Sequence, residues 1–159
     1  MKPLIAYFSA TGDTAKAAAK IAQSCDAPLF EIKPVVPYSS KDLNWNDSNS
    51  RTTIESRNPK EEVEIASMPD LKDVDTLIIG FPVWWYKAPS IIDTFLSRID
   101  LNGLTVVPFC TSGGTSMETC EKKLQAAFPA ANWKKGLRIS SSTDAGTIKN
   151  WLKSVEVIG

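Results

Sequence analysis

No histidine occurs among the 159 residues. Its absence excludes Ser-His-Asp and Cys-His catalysis, and every zinc site built on an imidazole ligand. Cysteine is scarce: Cys25, Cys110 and Cys120 are the only three. An odd number without C-x-x-C spacing points to reduced thiols and a cytoplasmic location rather than a disulfide framework. Charge of one sign is missing too, since 18 basic and 18 acidic residues cancel. This balance argues against a general nucleic-acid binder or a membrane-surface protein. No apolar run approaches the length of a membrane span. The segment before Ser9, with a single lysine and the run Leu4–Phe8, is too short to read as a secretory signal.

Two nucleotide motifs are absent as well. No G-x-x-x-x-G-K-[ST] loop occurs, and Gly12 stands alone where a dinucleotide fingerprint needs three glycines. What stands near the amino terminus is Ser9-Ala10-Thr11-Gly12-Asp13-Thr14, after the apolar run Leu4–Phe8 and before an alanine-rich stretch. A strand that turns through small hydroxylated residues into a helix makes an anion cradle. The first helical N–H groups lack internal partners and the helix dipole is positive there. Ser9, Thr11 and Thr14 add hydroxyls, and Gly12 admits close approach of an anion. With no basic side chain from Pro3 to Ala15, this loop suits one phosphate monoester and not metal-bound ATP. Asp13 is expected to point outward, where a carboxylate in a first helical turn is favourable.

Apolar strand-like runs alternate with helical patterns along the chain. Strands are expected at Leu4–Phe8, Leu29–Ile32, Thr76–Phe81, Leu104–Cys110 and Gly136–Ile139. Helices are expected at Thr14–Ser24, Ser90–Ile99, Ser116–Phe128 and Gly146–Val155, with Pro89 at a first helical position. Near-continuous apolar strands such as Thr76–Phe81 are buried on both faces. The expected architecture is therefore a single α/β domain over residues 1–159: a doubly wound three-layer sandwich around a five-stranded parallel sheet. The connection Pro34–Val74 is long and polar, and an additional short helix is expected near Ser50–Ser56. Residues 55–75 are rich in acidic side chains, which read most simply as a solvated face and alternatively as a docking patch for a basic partner.

Three strand ends carry special residues, and in a parallel sheet they leave the same edge. The first is Ser9–Thr14. The second is Pro82-Val83-Trp84-Trp85-Tyr86, bracketed by Pro82 and Pro89. The third is Thr111-Ser112-Gly113-Gly114. Adjacent aromatics in a connection call for a ligand or a partner, although they could also cap the sheet edge. Gly113-Gly114 lets backbone polar groups approach the edge of a planar ligand, or simply precedes a helix cap. Cys110 begins a run that lacks the arginine of a cysteine-dependent phosphatase, since Ser116 stands in its place. Cys110 and Cys120 read as core residues.

On these residues the chain resembles the flavodoxins, in their short-chain form. Ser9, Thr11, Gly12 and Thr14 match the family's [ST]-x-T-G-x-T phosphate loop, with Ala10 and Asp13 at its variable positions. Pro82–Tyr86 is similar to the loop that lays an aromatic on the flavin, and Thr111–Gly114 to the second loop that contacts the isoalloxazine. The resemblance implies non-covalently bound FMN, a strand order of 2-1-3-4-5, and a monomer shuttling low-potential electrons. Its partners would be redox proteins of the flavodoxin reductase or oxidoreductase type. The chain departs from the family in its zero net charge and in having no glycine from Phe81 to Asn102. A backbone flip in the aromatic loop would then place a non-glycine residue in a costly conformation. That departure keeps open an FMN-dependent NAD(P)H:quinone-type oxidoreductase. A binding module that has lost its flavin is a further alternative.

Overall fold

A computed structural model describes residues 2–44, 46–57, 62–112 and 116–159. The expected alternation is present: β1 (Pro3–Tyr7), α1 (Asp13–Cys25), β2 (Leu29–Glu31), α2 (Arg51–Arg57), β3 (Thr76–Pro82) and α3 (Ser90–Ser97) come first. They are followed by β4 (Thr105–Thr111), α4 (Met117–Ala127), β5 (Asn132–Trp133), β6 (Leu137–Arg138) and α5 (Ala145–Ser154). The sheet runs β2-β1-β3-β4-β5, with β6 also on β4, and each of these pairings is parallel. The extra short helix expected in the long connection is α2.

Alternation along the strands divides the core into two layers. Leu4, Ala6, Leu77, Ile79, Phe81 and Val106 face α3 and α4, where Ile91, Phe95, Cys120 and Leu124 pack. Ile5, Ile78, Val107 and Phe109 face α1 and α5, where Ala18, Ile21, Ile148 and Leu152 pack. Both faces are buried, which is why the strands show little polar alternation. Gly80 lies opposite Phe109 in the β3–β4 register. A Cβ at Gly80 would come within 1.9 Å of the Phe109 ring, so only glycine lets the ring lie across β3.

The fifth strand differs from its expected form. Its pairing starts earlier, at Asn132, and is broken between β5 and β6. The partner strand supplies the reason. Lys134 donates to the Val106 carbonyl and Ile139 to the Cys110 carbonyl, so the alternate residues 106, 108 and 110 direct their polar groups to this edge. The middle one is Pro108, which has no N–H to give. Opposite it, Gly136 passes so close that a Cβ would lie 2.5 Å from the Pro108 carbonyl. The Gly136 amide turns instead to the buried Glu121 carboxylate. Pro89 is the N-cap of α3 rather than its first helical residue.

Candidate functional site

The ends of β1, β3, β4 and β6 open on one edge of the sheet, around a cleft of about 630 Å³. This lies within the range of ~300–1,000 Å³ usual for cofactor and small-ligand sites.

The β1–α1 loop is shaped by its own hydroxyls. Gly12 caps α1 at φ 100°, and the Ser9 Oγ accepts the amides of Gly12 (3.1 Å) and Ala15 (3.2 Å). Ser9 is therefore an organiser of the loop and retains one proton to donate. The Asp13 and Thr14 amides make no hydrogen bond among the described residues. Open space lies beside Gly12, where a Cβ would meet nothing within 4 Å. Ala10 packs against the core beneath the loop. Thr11 and Asp13 are exposed and rim the cleft. The outward disposition expected of Asp13 is thus only half the picture, since its residue borders the cavity as well as solvent.

Two hydrogen bonds tie the strand ends together. The Thr14 and Thr111 hydroxyls meet at 2.8 Å, and the Val83 amide donates to the Thr111 carbonyl at 3.0 Å. Pro82, Val83, Thr111 and Ser112 all line the cleft. Gly113 and Gly114, singled out from the sequence, lie outside the described residues.

The aromatic segment forms a tight turn away from the cleft lining. Trp84 and Lys87 exchange backbone hydrogen bonds at 3.0 and 3.2 Å, with Trp85 and Tyr86 between them at φ 51° and 61°. Two adjacent positive φ values are the mark of a type I′ turn, which ordinarily takes Asn or Gly. Here two bulky residues hold this costly backbone conformation. The Lys123 ammonium donates to the Tyr86 carbonyl at 3.1 Å, and the Lys87 ammonium to the Ser56 carbonyl at 3.0 Å. Trp84 turns inward, edge-on to Phe8 at 5.5 Å and to Tyr38 at 5.3 Å. Tyr86 is 66 % exposed.

Tyr38 anchors the long connection to this turn. Its hydroxyl donates to the Glu55 carboxylate, the Arg51 guanidinium lies 3.8 Å from its ring centroid, and Arg51 pairs with Glu55 at 3.2 Å. Burial, reinforced by the Glu55 carboxylate, pushes the Tyr38 hydroxyl far above its ordinary range. It is therefore a fixed donor and not a proton-transfer group. Cys110 is fully buried, and burial pushes its thiol up to about 12. That shift is opposite to the one a thiolate nucleophile needs.

Sequence reasoning missed one wall. Lys16, Ala17 and Lys20 from α1 and Ile139, Ser140 and Ser141 after β6 complete the cleft. The Lys20 ammonium bridges to this last loop through the carbonyls of Ser140, Ser141 and Thr143 at 3.3–3.4 Å. The signal was present as helical spacing: residues 13, 16, 17 and 20 share one face of α1. The loop itself contains only neutral donors, but the turns behind it bring two cations to its side.

Among the described residues no group of acidic, cysteine or histidine side chains could hold a metal ion. No helix described is long and apolar enough to cross a membrane.

A family model described as Flavodoxin matches residues 2–155. The structure is similar to that of a candidate flavoprotein from Bacteroides eggerthii DSM 20697, at 42 % identity over 99 % of both chains and a TM-score of 0.95. It is also similar to a flavoprotein from Lactobacillus acidophilus NCFM solved in complex with FMN, at 26 % identity and a TM-score of 0.73. That match covers 94 % of this chain and 97 % of the other. A short stretch of 35 residues is 40 % identical to an uncharacterized NAD(P)H oxidoreductase, YcaK, of Escherichia coli K12, and spans 22 % of this chain and 18 % of that protein.

Proposed function

The chain belongs to the flavodoxin family, and on that premise we propose that it holds FMN non-covalently and carries electrons one at a time between redox proteins. The observation that carries this reading is the joining of the phosphate-loop helix to the ends of β3 and β4, through Thr14–Thr111 and Val83–Thr111. These contacts bind the anion end and the ring end of one site into a single frame.

The residues present fit the cofactor. The Asp13 and Thr14 amides, the space beside Gly12 and the α1 dipole suit a phosphate monoester. Lys16 and Lys20 offset part of its charge from the cleft wall. Pro82 and Val83 offer an apolar surface, and Thr111 and Ser112 border the cleft where a ring edge would lie. When bound, the flavin supplies the redox chemistry, while the protein binds, orients and tunes it. Tyr86 is exposed on its strained turn, and in this reading it meets an incoming partner or the edge of a flavin that extends beyond the cleft lining. The partners in this reading are reductase- or oxidoreductase-type redox proteins, met by a cytoplasmic monomer with one domain over residues 1–159.

A second reading is an FMN-dependent NAD(P)H oxidoreductase, favoured by the short match to YcaK. The two are separated by adding NAD(P)H to the FMN-loaded protein under anaerobic conditions. A carrier keeps its yellow colour until a separate reductase is supplied. Rapid bleaching by NAD(P)H alone would establish the oxidoreductase.

A further inference from the structure

The cleft does not end at the phosphate loop. Its wall follows α1 from Asp13 through Lys16 and Lys20, and Lys20 also lines a second cavity of about 390 Å³. Gln23 and Ser24 continue the same helical stripe into that cavity, and Thr143 and Lys149 close it from the side of α5. From Lys16 to Ser24 the stripe extends about 12 Å at the rise of an α-helix. One wall of α1 thus leads from an anion cradle past the Lys16 and Lys20 ammonium groups into a polar trough, with Lys149 facing it from α5.

The charges there do not cancel. Lys16 and Lys149 make no ion pair among the described residues, and both are exposed. Lys20 is held in place by three backbone carbonyls and pairs with no carboxylate among the described residues. Two carboxylates border this region: Asp13 lines the cleft at the cradle end, and Asp144 caps α5. The Asp144 carboxylate is engaged at the start of α5, where it accepts the Thr147 amide at 2.7 Å. A phosphate monoester in the cradle needs none of the trough. The trough therefore has the cations for a second phosphate. The Thr143 hydroxyl, which accepts the Ser140 amide, can donate to its oxygens, and the Ser24 hydroxyl, which donates to the Lys20 carbonyl, can accept from an adjoining sugar.

We infer that the trough between α1 and α5, running from Lys16 past Lys20 to Lys149, binds a nucleoside phosphate beside the FMN phosphate site. Two sources fit this chemistry. One is the adenylate half of FAD, continuing from a flavin phosphate in the cradle. The other is a separate nucleotide, such as the adenosine diphosphate portion of a pyridine dinucleotide. The FAD arm rests on the proposed FMN site, whereas the separate-nucleotide arm does not.

Calorimetric titration tests the inference with ADP as one probe and FAD as the other. ADP is added to the FMN-loaded protein, and FAD and FMN are each added to the flavin-free protein. Each titration is repeated with Lys149→Glu, an exposed position remote from the phosphate loop, with circular dichroism to verify folding. Loss of one charge-assisted contact should weaken ADP binding, or FAD relative to FMN, by roughly tenfold or more. FMN binding should be unchanged in that variant. Binding of ADP without release of FMN identifies the separate nucleotide, and FAD binding that is selectively weakened identifies the continuous dinucleotide. The inference is overturned if neither probe binds in the wild type, if Lys149→Glu leaves both unchanged, or if ADP acts only by displacing FMN. If FMN also fails to bind, the proposed function falls, while ADP added to the flavin-free protein still reads the trough.

Discussion

The Thr14 hydroxyl lies 2.8 Å from the Thr111 hydroxyl, across 97 positions of sequence. Thr14 is almost completely buried at the start of α1, and Thr111 ends β4. This bond sets the distance between the phosphate loop and the β4 end of the cleft. Thr14→Val keeps the shape and removes the bond. Leaving a partly buried partner unsatisfied costs ~1–3 kcal/mol. The expected result is FMN binding weakened by roughly tenfold or more, measured by quenching of flavin fluorescence. In a double-mutant cycle with Thr111→Val, the two losses should not add. Full additivity would show that the hydroxyls act separately.

Tyr86 holds φ 61° and is 66 % exposed, so its backbone strain is offset by few side-chain contacts. Relief of a positive φ in a bulky residue is worth ~1 kcal/mol or more. Tyr86→Gly should therefore raise the melting temperature of the flavin-free protein by about 2–4 °C. In the FMN-loaded protein the same change should alter the reduction potential, because the proposed ring contact is lost. A lower melting temperature for the flavin-free variant would mean that the ring contributes more than the strain costs.

Asp93 sits in α3, and burial raises its carboxyl to about 6, with Lys87 opposing the shift. Between about pH 4 and 6 the folded protein consequently binds more protons than the unfolded chain. The contribution of this group to stability is greatest at the acid end and is lost as pH rises through that window. Urea unfolding at pH 5 and pH 7 measures it. Asp93→Asn should flatten that part of the profile and stabilise the protein at pH 7 by about 2–3 kcal/mol. An unchanged pH dependence in the variant would assign the effect to another group.

Burial raises the Cys110 thiol to about 12 and the Cys120 thiol to about 11, and both side chains are inaccessible. Cys25 is half-buried, and burial raises its thiol too. At pH 8 a thiol-specific disulfide reagent should label Cys25 first and reach Cys110 and Cys120 only on unfolding. Early labelling of Cys110 would reopen a nucleophilic role for it.

The parallel sheet and both helix layers were legible in the sequence because double burial leaves long apolar runs, as in Leu77–Phe81, while the strand order followed only from the resemblance to the flavodoxins. The cradle was legible through Ser9, Thr11, Gly12 and Thr14, whose chemistry is local. Three features were not. The break between β5 and β6 depends on Pro108 of a neighbouring strand, so no inspection of residues 132–139 alone discloses it. The inward turn of Trp84 depends on Phe8 and on Tyr38 from the long connection, which are remote in sequence. The basic wall needed two facts together: Lys16 and Lys20 share the helix face of Asp13, and Ser140–Thr143 returns to the same sheet edge. The sequence did show that the aromatic loop lacks glycine, so the positive φ values of this turn fall on the bulky Trp85 and Tyr86.

The central claim, a one-electron carrier built on bound FMN, is tested most directly by anaerobic reductive titration of the purified, FMN-loaded protein with dithionite, followed by absorption spectroscopy. The account predicts one flavin per chain and accumulation of a one-electron-reduced flavin, visible as a long-wavelength band, before full reduction. Passage from oxidised to fully reduced flavin with no such species, or a protein that cannot retain FMN, would contradict it.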